Sequence, residues 1–452
     1  TRMKYFGQEE PLYFGGLGQH GENTSVLEKK LSGRNSVNGV FNALMGGAKK
    51  AMNTRSGGGG NKRRTSITSS NNTALGHSSL RLNTTGAQNI AVGGLALTAN
   101  TTGSNNTAVG YDSLGANTTG TKNVAVGAYS ADAITTGLSN TAIGEQSMRG
   151  VTTGSNNTAL GKSSLQTSTA NDNTAIGFFA LNANTTGTQN VGVGVSALTA
   201  STTANYNVAM GWHAGKANTT GSHNTALGAN ALDANTTASY NIAVGSYALT
   251  NNTTGAKNTA VGYEALGANT TGHDVVAVGF ESLKSNTTGL YNTAVGFQAL
   301  ETVTTGERNT AVGRNALNAN TGSYNTAVGM NALETNSAGN RNTGIGCRAS
   351  VSNQSGDDNT AVGNDALFAN TGSDNTAVGS YALDANTTGS VNTAIGKDAL
   401  GANTTGVRNT AVGTNALDAN TTADNNTAVG YDALGANTTG TENVAVGQGA
   451  LG

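Results

Sequence analysis

The chain has 452 residues, a formal net charge of −1, 65 glycines, one proline, one cysteine and 5% aromatic residues. Charged residues make up only 11% of the chain, which is too few for a highly charged disordered tail, and the glycine content is too high for ordinary globular cores. The lone cysteine excludes an internal disulfide framework, and the sequence has no apolar run of about 18 residues that would predict a transmembrane helix.

The first 70 residues differ in composition from the rest of the chain. They contain 11 Lys/Arg against 4 Asp/Glu, whereas the remainder contains 13 against 21. We predict an N-terminal anchoring or docking segment at residues 1–56 and a Gly-rich basic linker at 57–70. The candidate anchoring residues are aromatic or basic: Tyr5, Phe6, Tyr13, Phe14, Lys62, Arg63 and Arg64. The alternative is a partly disordered tail with solvated charges. Nucleic-acid binding is disfavoured because the body is acidic and has no recognition motif.

Residues 71–452 are built from one repeated unit. A pentad of the type Asn-Thr-Ala-Val-Gly occurs 23 times, and 19 of the 22 intervals between its glycines are 17 residues long, while three are 16. Since the shorter units lose a residue in the polar turn, the strands keep their register. The spacing predicts an all-β fold, a parallel β-solenoid shaft with one coil per repeat.

Within the pentad, side chains alternate between two faces. The second position is Thr, Val or Ile and the fourth is aliphatic, so we expect both to point inward, as does the Leu found four residues after the glycine in 19 units. The third position is Ala in 21 units and Gly in two. We expect this small-residue column to pack closely against another surface.

The Asn and Gly of the pentad are predicted to have structural roles. The glycine suits a corner with positive φ or a close backbone approach, and the Asn suits a stacked amide ladder between coils. Three coils represent the predicted structural columns: Asn106, Gly110 and Leu114; Asn258, Gly262 and Leu266; Asn426, Gly430 and Leu434.

The shaft is expected to be long and thin. With coils about 4.8 Å apart, 22 steps give a length of roughly 105 Å. A coil with about three buried aliphatic side chains gains too little burial to order 17 residues alone. We therefore expect several chains to associate along the Ala column.

The Asn-Thr-Ala-Val-Gly pentad followed by Ala-Leu resembles the head repeats of YadA-type trimeric autotransporter adhesins, and it also resembles repeats in tailed-phage fibre proteins. The resemblance covers about residues 71–452. It implies a left-handed parallel β-roll in which three chains surround one axis. The absence of a C-terminal stalk or anchor in this sequence favours a phage appendage over a bacterial surface adhesin.

The position directly after the pentad glycine is the most variable, and we expect it to face outward. Its aromatic members are candidate receptor contacts: Tyr111, Phe178, Trp212, Tyr263, Phe280, Phe297 and Tyr431. Phe280 and Phe297 fall on successive coils and should stack, forming a strip that could hold a sugar ring or a protein. Alternatively, these residues shield the coil edge or a neighbouring chain.

No motif predicts catalysis. The five histidines share no metal-ligand spacing, and neither a nucleophile elbow nor a phosphate loop is present, so we expect no enzyme activity, metal or cofactor. Glu264 and Glu281 lie 17 residues apart at equivalent positions and could form a glycosidase-like pair, but two solvated acids on a fibre surface are favoured.

The sequence predicts a structural or adhesive fibre located on a virion surface. We expect it to form a homotrimer, to dock on the particle through its N-terminal segment, and to contact a glycan or protein on the host surface. A trimeric adhesin on a bacterial cell surface is the alternative. An ice-binding solenoid is a further one, although the Val and Ile residues at the Thr position argue against it. A fibre that also depolymerises a host polysaccharide would require a cleft with paired acids.

Overall fold

A computed structural model describes residues 69–452. The predicted segment at residues 1–56, nearly all of the linker at 57–70 and every candidate anchoring residue lie outside the described residues.

The described residues form 23 three-residue strands and no helix. The strands are β1 Thr73–Leu75, β2 Ile90–Val92, β3 Thr107–Val109, β4 Val124–Val126, β5 Thr141–Ile143, β6 Thr158–Leu160, β7 Thr174–Ile176, β8 Val191–Val193, β9 Val208–Met210, β10 Thr225–Leu227, β11 Ile242–Val244, β12 Thr259–Val261, β13 Val276–Val278, β14 Thr293–Val295, β15 Thr310–Val312, β16 Thr326–Val328, β17 Thr343–Ile345, β18 Thr360–Val362, β19 Thr376–Val378, β20 Thr393–Ile395, β21 Thr410–Val412, β22 Thr427–Val429 and β23 Val444–Val446. Each strand occupies the middle of one pentad.

Each strand pairs in parallel with the strand of the next coil, and the register follows the repeat. In β12 and β13, for example, Thr259 is opposite Val276 and Ala260 is opposite Ala277. A 16-residue unit keeps the same register, since Thr310 is opposite Thr326. The predicted parallel β-solenoid is therefore confirmed, with one coil per repeat.

The strand faces have the opposite orientation to the one expected from the sequence: the alanine points inward, and the residues on either side of it point outward. The pentad alanines line the interior of the coil itself: Ala108 and Ala260 are fully buried. The flanking residues of β3 and β12 are only half-buried and face outward. The expectation that alanine packs against another chain was wrong, because a coil this narrow has no room for two β-branched side chains from every strand.

The predicted leucine column does point inward. Leu114, Leu266 and Leu434 are buried, and each has a positive φ of 51°, 55° and 51°, respectively. A bulky residue in the left-handed region costs roughly 1–2 kcal/mol relative to a helical conformation. We infer that burial of this side chain between coils offsets that cost, since the position is leucine in most units.

The pentad glycine is required by both its conformation and its surroundings. Gly262 has a φ of +139°, which residues with a side chain rarely adopt, and a Cβ at this position would overlap the carbonyl oxygen of Gly279 in the next coil. The same relation joins Gly110 to Gly127 and Gly430 to Gly447. The corner can therefore be closed only by residues without a side chain.

Two columns of buried asparagine connect the coils. In the pentad column, Asn106 Nδ2 donates to the carbonyl oxygen of Gly120 (2.8 Å), and its Oδ1 accepts from the backbone N–H of Asn123 (3.0 Å). The amide-to-amide ladder expected there runs mainly in the turn column, where Asn117 Nδ2 donates to Asn100 Oδ1 (2.8 Å). Sequence reasoning had treated that turn as a polar closure and missed its buried Asn.

Candidate functional site

Three aromatic residues on successive coils, Tyr263, Phe280 and Phe297, form what we call the aromatic strip. Their ring centroids are 5.4 Å apart at both steps, with interplanar angles of 16° and 7°. The rings stack along the solenoid axis because equivalent positions recur at the spacing between coils. All three are 42–44% exposed, so the expected stacking of Phe280 on Phe297 is confirmed.

The ring faces of the strip are largely covered. Phe280 is sandwiched between its two neighbours, and the guanidinium carbon of Arg314 lies 5.9 Å from the Phe297 ring centroid. At the other end Tyr247 packs edge-on against Tyr263, with centroids 6.0 Å apart. Both faces of the Phe280 ring are therefore covered by its neighbours. A sugar ring stacks on a free aromatic face, so this geometry disfavours the sugar platform expected at Phe280 and suits apolar side chains of a protein.

The other four candidate contacts are exposed, but they lie three to nine coils from the strip, which is about 14–43 Å at the coil spacing. Tyr111 packs edge-on against Tyr129, and Trp212 stacks on His213 with centroids 3.6 Å apart. Phe178 and Tyr431 lie on the seventh and twenty-second coils, which are separated by roughly 70 Å at the coil spacing. The seven aromatic residues do not converge on one site, and their role in receptor contact stays a prediction.

A row of polar side chains runs beside the strip. Lys284 Nζ lies 2.7 Å from Glu264 Oε2 and 2.8 Å from Glu281 Oε1, so one ammonium group bridges the two carboxylates. Gln298 Nε2 donates to Glu281 Oε2 (2.8 Å). The hydrogen bonds from Lys284 and Gln298 lower the pKa of Glu281. A glycosidase acid needs a raised pKa, so this pair is arranged as a salt-bridged cluster and not as an acid–base pair.

An open notch adjoins this polar row. It has a volume of about 360 Å³ and is formed by side chains of three successive coils. Its lining comprises Tyr247, Thr250, Asn251, Glu264, Gly267, Ala268, Lys284 and Ser285. Sequence reasoning missed the notch. The available signal was Gly267, which stands where the neighbouring coils have Thr250 and Lys284.

A second outward column, directly before the pentad Asn, also went unnoticed. His223 lies between Tyr206 and Tyr240, with ring centroids 4.9 Å apart on both sides. Further along, Arg308 lies between Tyr291 and Tyr324, at 5.2 and 5.3 Å from their ring centroids. These stacks bring together residues of consecutive coils, and we interpret them as supports of the coil edge.

Within residues 69–452 no group of three or more His, Cys, Asp or Glu side chains is placed to hold a metal ion. In that part of the chain no helix is long and apolar enough to cross a membrane. No protein-family model matches the chain, and comparison with curated proteins finds no match.

Proposed function

We propose that this chain is the shaft of a structural and adhesive fibre, a phage tail fibre or other virion appendage that projects from the particle and contacts the host surface. The supporting observation is the unbroken series of 23 coils in one register. At about 4.8 Å per coil, the shaft would reach roughly 105 Å. Length and stiffness are then part of the function.

We further propose that copies of the chain associate, as a homotrimer, through the outward face of the sheet. This face consists of the second and fourth pentad positions, which are Thr, Val, Ile, Leu or Met throughout and carry no charge. Along a shaft of roughly 105 Å, this face of the three-residue strands has a surface area of about 1,000 Å². That area is comparable with the roughly 800 Å² that each partner buries in a stable interface. Most monomeric proteins leave smaller apolar patches exposed.

The association can be tested with charged substitutions on this face. Val244 and Val261 are half-exposed members of it on adjacent coils, whereas Thr254 and Thr271 are exposed in the turns of the same coils. We expect sedimentation equilibrium to give a trimer mass for the full chain and for Thr254→Lys/Thr271→Lys. We expect Val244→Lys/Val261→Lys to shift the mass towards the monomer. A monomeric full chain, or equal masses for both variants, would contradict the proposed interface.

The attachment of the fibre can be tested on particles. We expect deletion of residues 1–60 to abolish incorporation into virions while the shaft still forms, because the proposed docking segment would be lost. Electron micrographs of the source material distinguish the alternatives: rods radiating from a phage support the virion appendage, and rods radiating from a cell support a surface adhesin.

The outward position of threonine favours one second candidate, an ice-binding solenoid. Thr259 and Thr293 belong to the half-exposed face, although Val276 stands between them. Thermal hysteresis of the purified chain would support this function, and freezing at the same temperature as a control protein would exclude it.

A further inference from the structure

The notch lies at Gly267, one of several glycines found five residues after a pentad glycine. Gly115, Gly401 and Gly435 occupy equivalent positions, five residues after the pentad glycine. At Gly115 and Gly435, a Cβ would overlap the carboxylate of Asp112 or Asp432, and a Cβ on Gly401 would lie 2.8 Å from Asp418 Oδ1. The space that each of these glycines leaves is therefore occupied by an aspartate.

Gly267 differs because it is buried at the base of the notch and no side-chain atom is among the three heavy atoms nearest to an added Cβ. The nearest heavy atoms to a Cβ at this position belong to the backbone, beginning with the carbonyl oxygen of Glu264 at 3.2 Å. Glu264 is the positional equivalent of Asp112, but its carboxylate is drawn to Lys284 Nζ (2.7 Å). The same carboxylate lies near Tyr263 and raises the pKa of that tyrosine. These contacts hold the carboxylate at the wall of the notch.

The notch combines an aromatic ring with several polar groups. Tyr247 is 41% exposed, and it lies at 75° to Tyr263, so these two rings do not stack. Thr250, Asn251 and Ser285 contribute hydroxyl and amide groups to the lining. A concave site with one apolar surface and a few convergent polar groups is typical of small-molecule binding.

The charge of the site selects among ligands. Two carboxylates, Glu264 and Glu281, share the single ammonium of Lys284, which leaves a net charge of −1 on the cluster. An anionic ligand such as a uronic acid would be repelled, whereas neutral hydroxyl groups can donate charge-assisted hydrogen bonds to Glu264. A hexose also has an apolar C–H face that can pack on the Tyr247 ring.

We propose that the Gly267 notch binds one neutral hexopyranose unit of a surface polysaccharide, with the sugar face on Tyr247 and the hydroxyl groups bonded to Glu264 and Asn251. The proposal deepens the host contact of the proposed fibre, since it assigns that contact to a place on the shaft and to a class of ligand. Sugar binding is thereby assigned to the notch and not to the rings of Phe280 and Phe297, whose stacked faces are covered.

The test uses the full chain and the methyl glycosides of glucose, galactose, mannose and N-acetylglucosamine, with methyl glucuronide as the anionic comparison. Saturation-transfer NMR should detect at least one neutral glycoside and give a weaker signal for the glucuronide. Titration of the bound glycoside should show affinity losses of about tenfold or more for Gly267→Thr, which fills the notch with the side chain found at Thr250, and for Tyr247→Ala. The matched control Tyr381→Ala, which removes a tyrosine of equal exposure (41%) at the equivalent position of another coil, should retain the parent affinity.

Binding of none of the neutral glycosides would overturn the proposal, and so would equal affinity for the parent and Gly267→Thr. Sedimentation equilibrium on the same samples separates this outcome from failure of the fibre proposal. A trimer that binds no sugar contradicts only the notch, whereas a monomer contradicts the proposed association.

Discussion

The buried asparagine of the pentad is expected to stabilise the coil mainly by accepting a hydrogen bond from the next coil. In Asn106→Ala, the backbone N–H of Asn123 loses the Oδ1 acceptor that it contacts at 3.0 Å, and such a buried unpaired donor costs about 1–3 kcal/mol. The bond from Asn106 Nδ2 to Gly120 is also lost, at about 0.5–1.5 kcal/mol. The Gly120 oxygen keeps its bond from Asn117 Nδ2 (3.1 Å), which limits that second cost. We expect a total loss of about 2–4 kcal/mol.

Hydrogen exchange is the appropriate assay, because a repeat protein can open locally without unfolding as a whole. The amide of Asn123 should exchange roughly 30- to 700-fold faster in Asn106→Ala, following the 1.4 kcal/mol per tenfold relation. Thr102→Ala, an exposed substitution in the preceding turn, should change the same rate by less than about threefold. If the two variants exchange equally fast at Asn123, the buried amide does not stabilise the coil as argued.

Three further predictions concern single positions. Gly262→Ala should lower the free energy of unfolding by about 3 kcal/mol or more, because the Cβ would overlap the Gly279 carbonyl. Urea unfolding measures this change, and an unchanged urea midpoint would contradict the corner geometry. Ser350→Leu should raise the free energy of unfolding by about 1–3 kcal/mol, because it removes a buried hydroxyl without a partner and continues the leucine column. A lower melting temperature would contradict this, since it would mean that the coil has no room for the larger side chain. Burial raises the pKa of Asp132 to about 6 although Arg149 is nearby, so the folded state favours the protonated acid. Stability should therefore fall as pH rises from about 4 to about 6, by on the order of 1 kcal/mol after the shift is discounted for solvent screening of this partly exposed group. Asp132→Asn should lose this dependence, and an identical pH profile would refute the argument.

The stacking of coils along the solenoid axis could be predicted from the sequence, because the constant length of the repeat determines it. An insertion of irregular length would have broken the register, so the constant spacing was sufficient to predict parallel pairing such as that of Thr259 with Val276. The inward Leu114 column followed from the same spacing. The glycine corners were also predictable, since Gly262 combines a positive φ with close contact to the next coil.

The direction of the strand faces could not be predicted from alternation alone. Alternation shows that Thr259 and Val261 share a face, but either face of a strand can line the interior. Size decided the outcome, because Ala260 fits a coil that is already filled by Leu266 and two buried asparagines. The notch was missed for a related reason: the Glu264 carboxylate contacts Lys284, and the spacing does not encode this side-chain contact.

The reversal of the strand faces also changes the argument for association. With alanine inside, most coils bury one large aliphatic side chain of the Leu266 type, and the outward apolar residues, such as Val261, are left half-exposed. Burial within one chain is then smaller than the sequence suggested, and the apolar surface available for contact between chains is larger. Both changes favour assembly, since contact along the outward face would bury two apolar or β-branched side chains per coil. The oligomer predicted from a thin core is therefore still proposed, but its interface moves from the alanine column to the Thr/Val face.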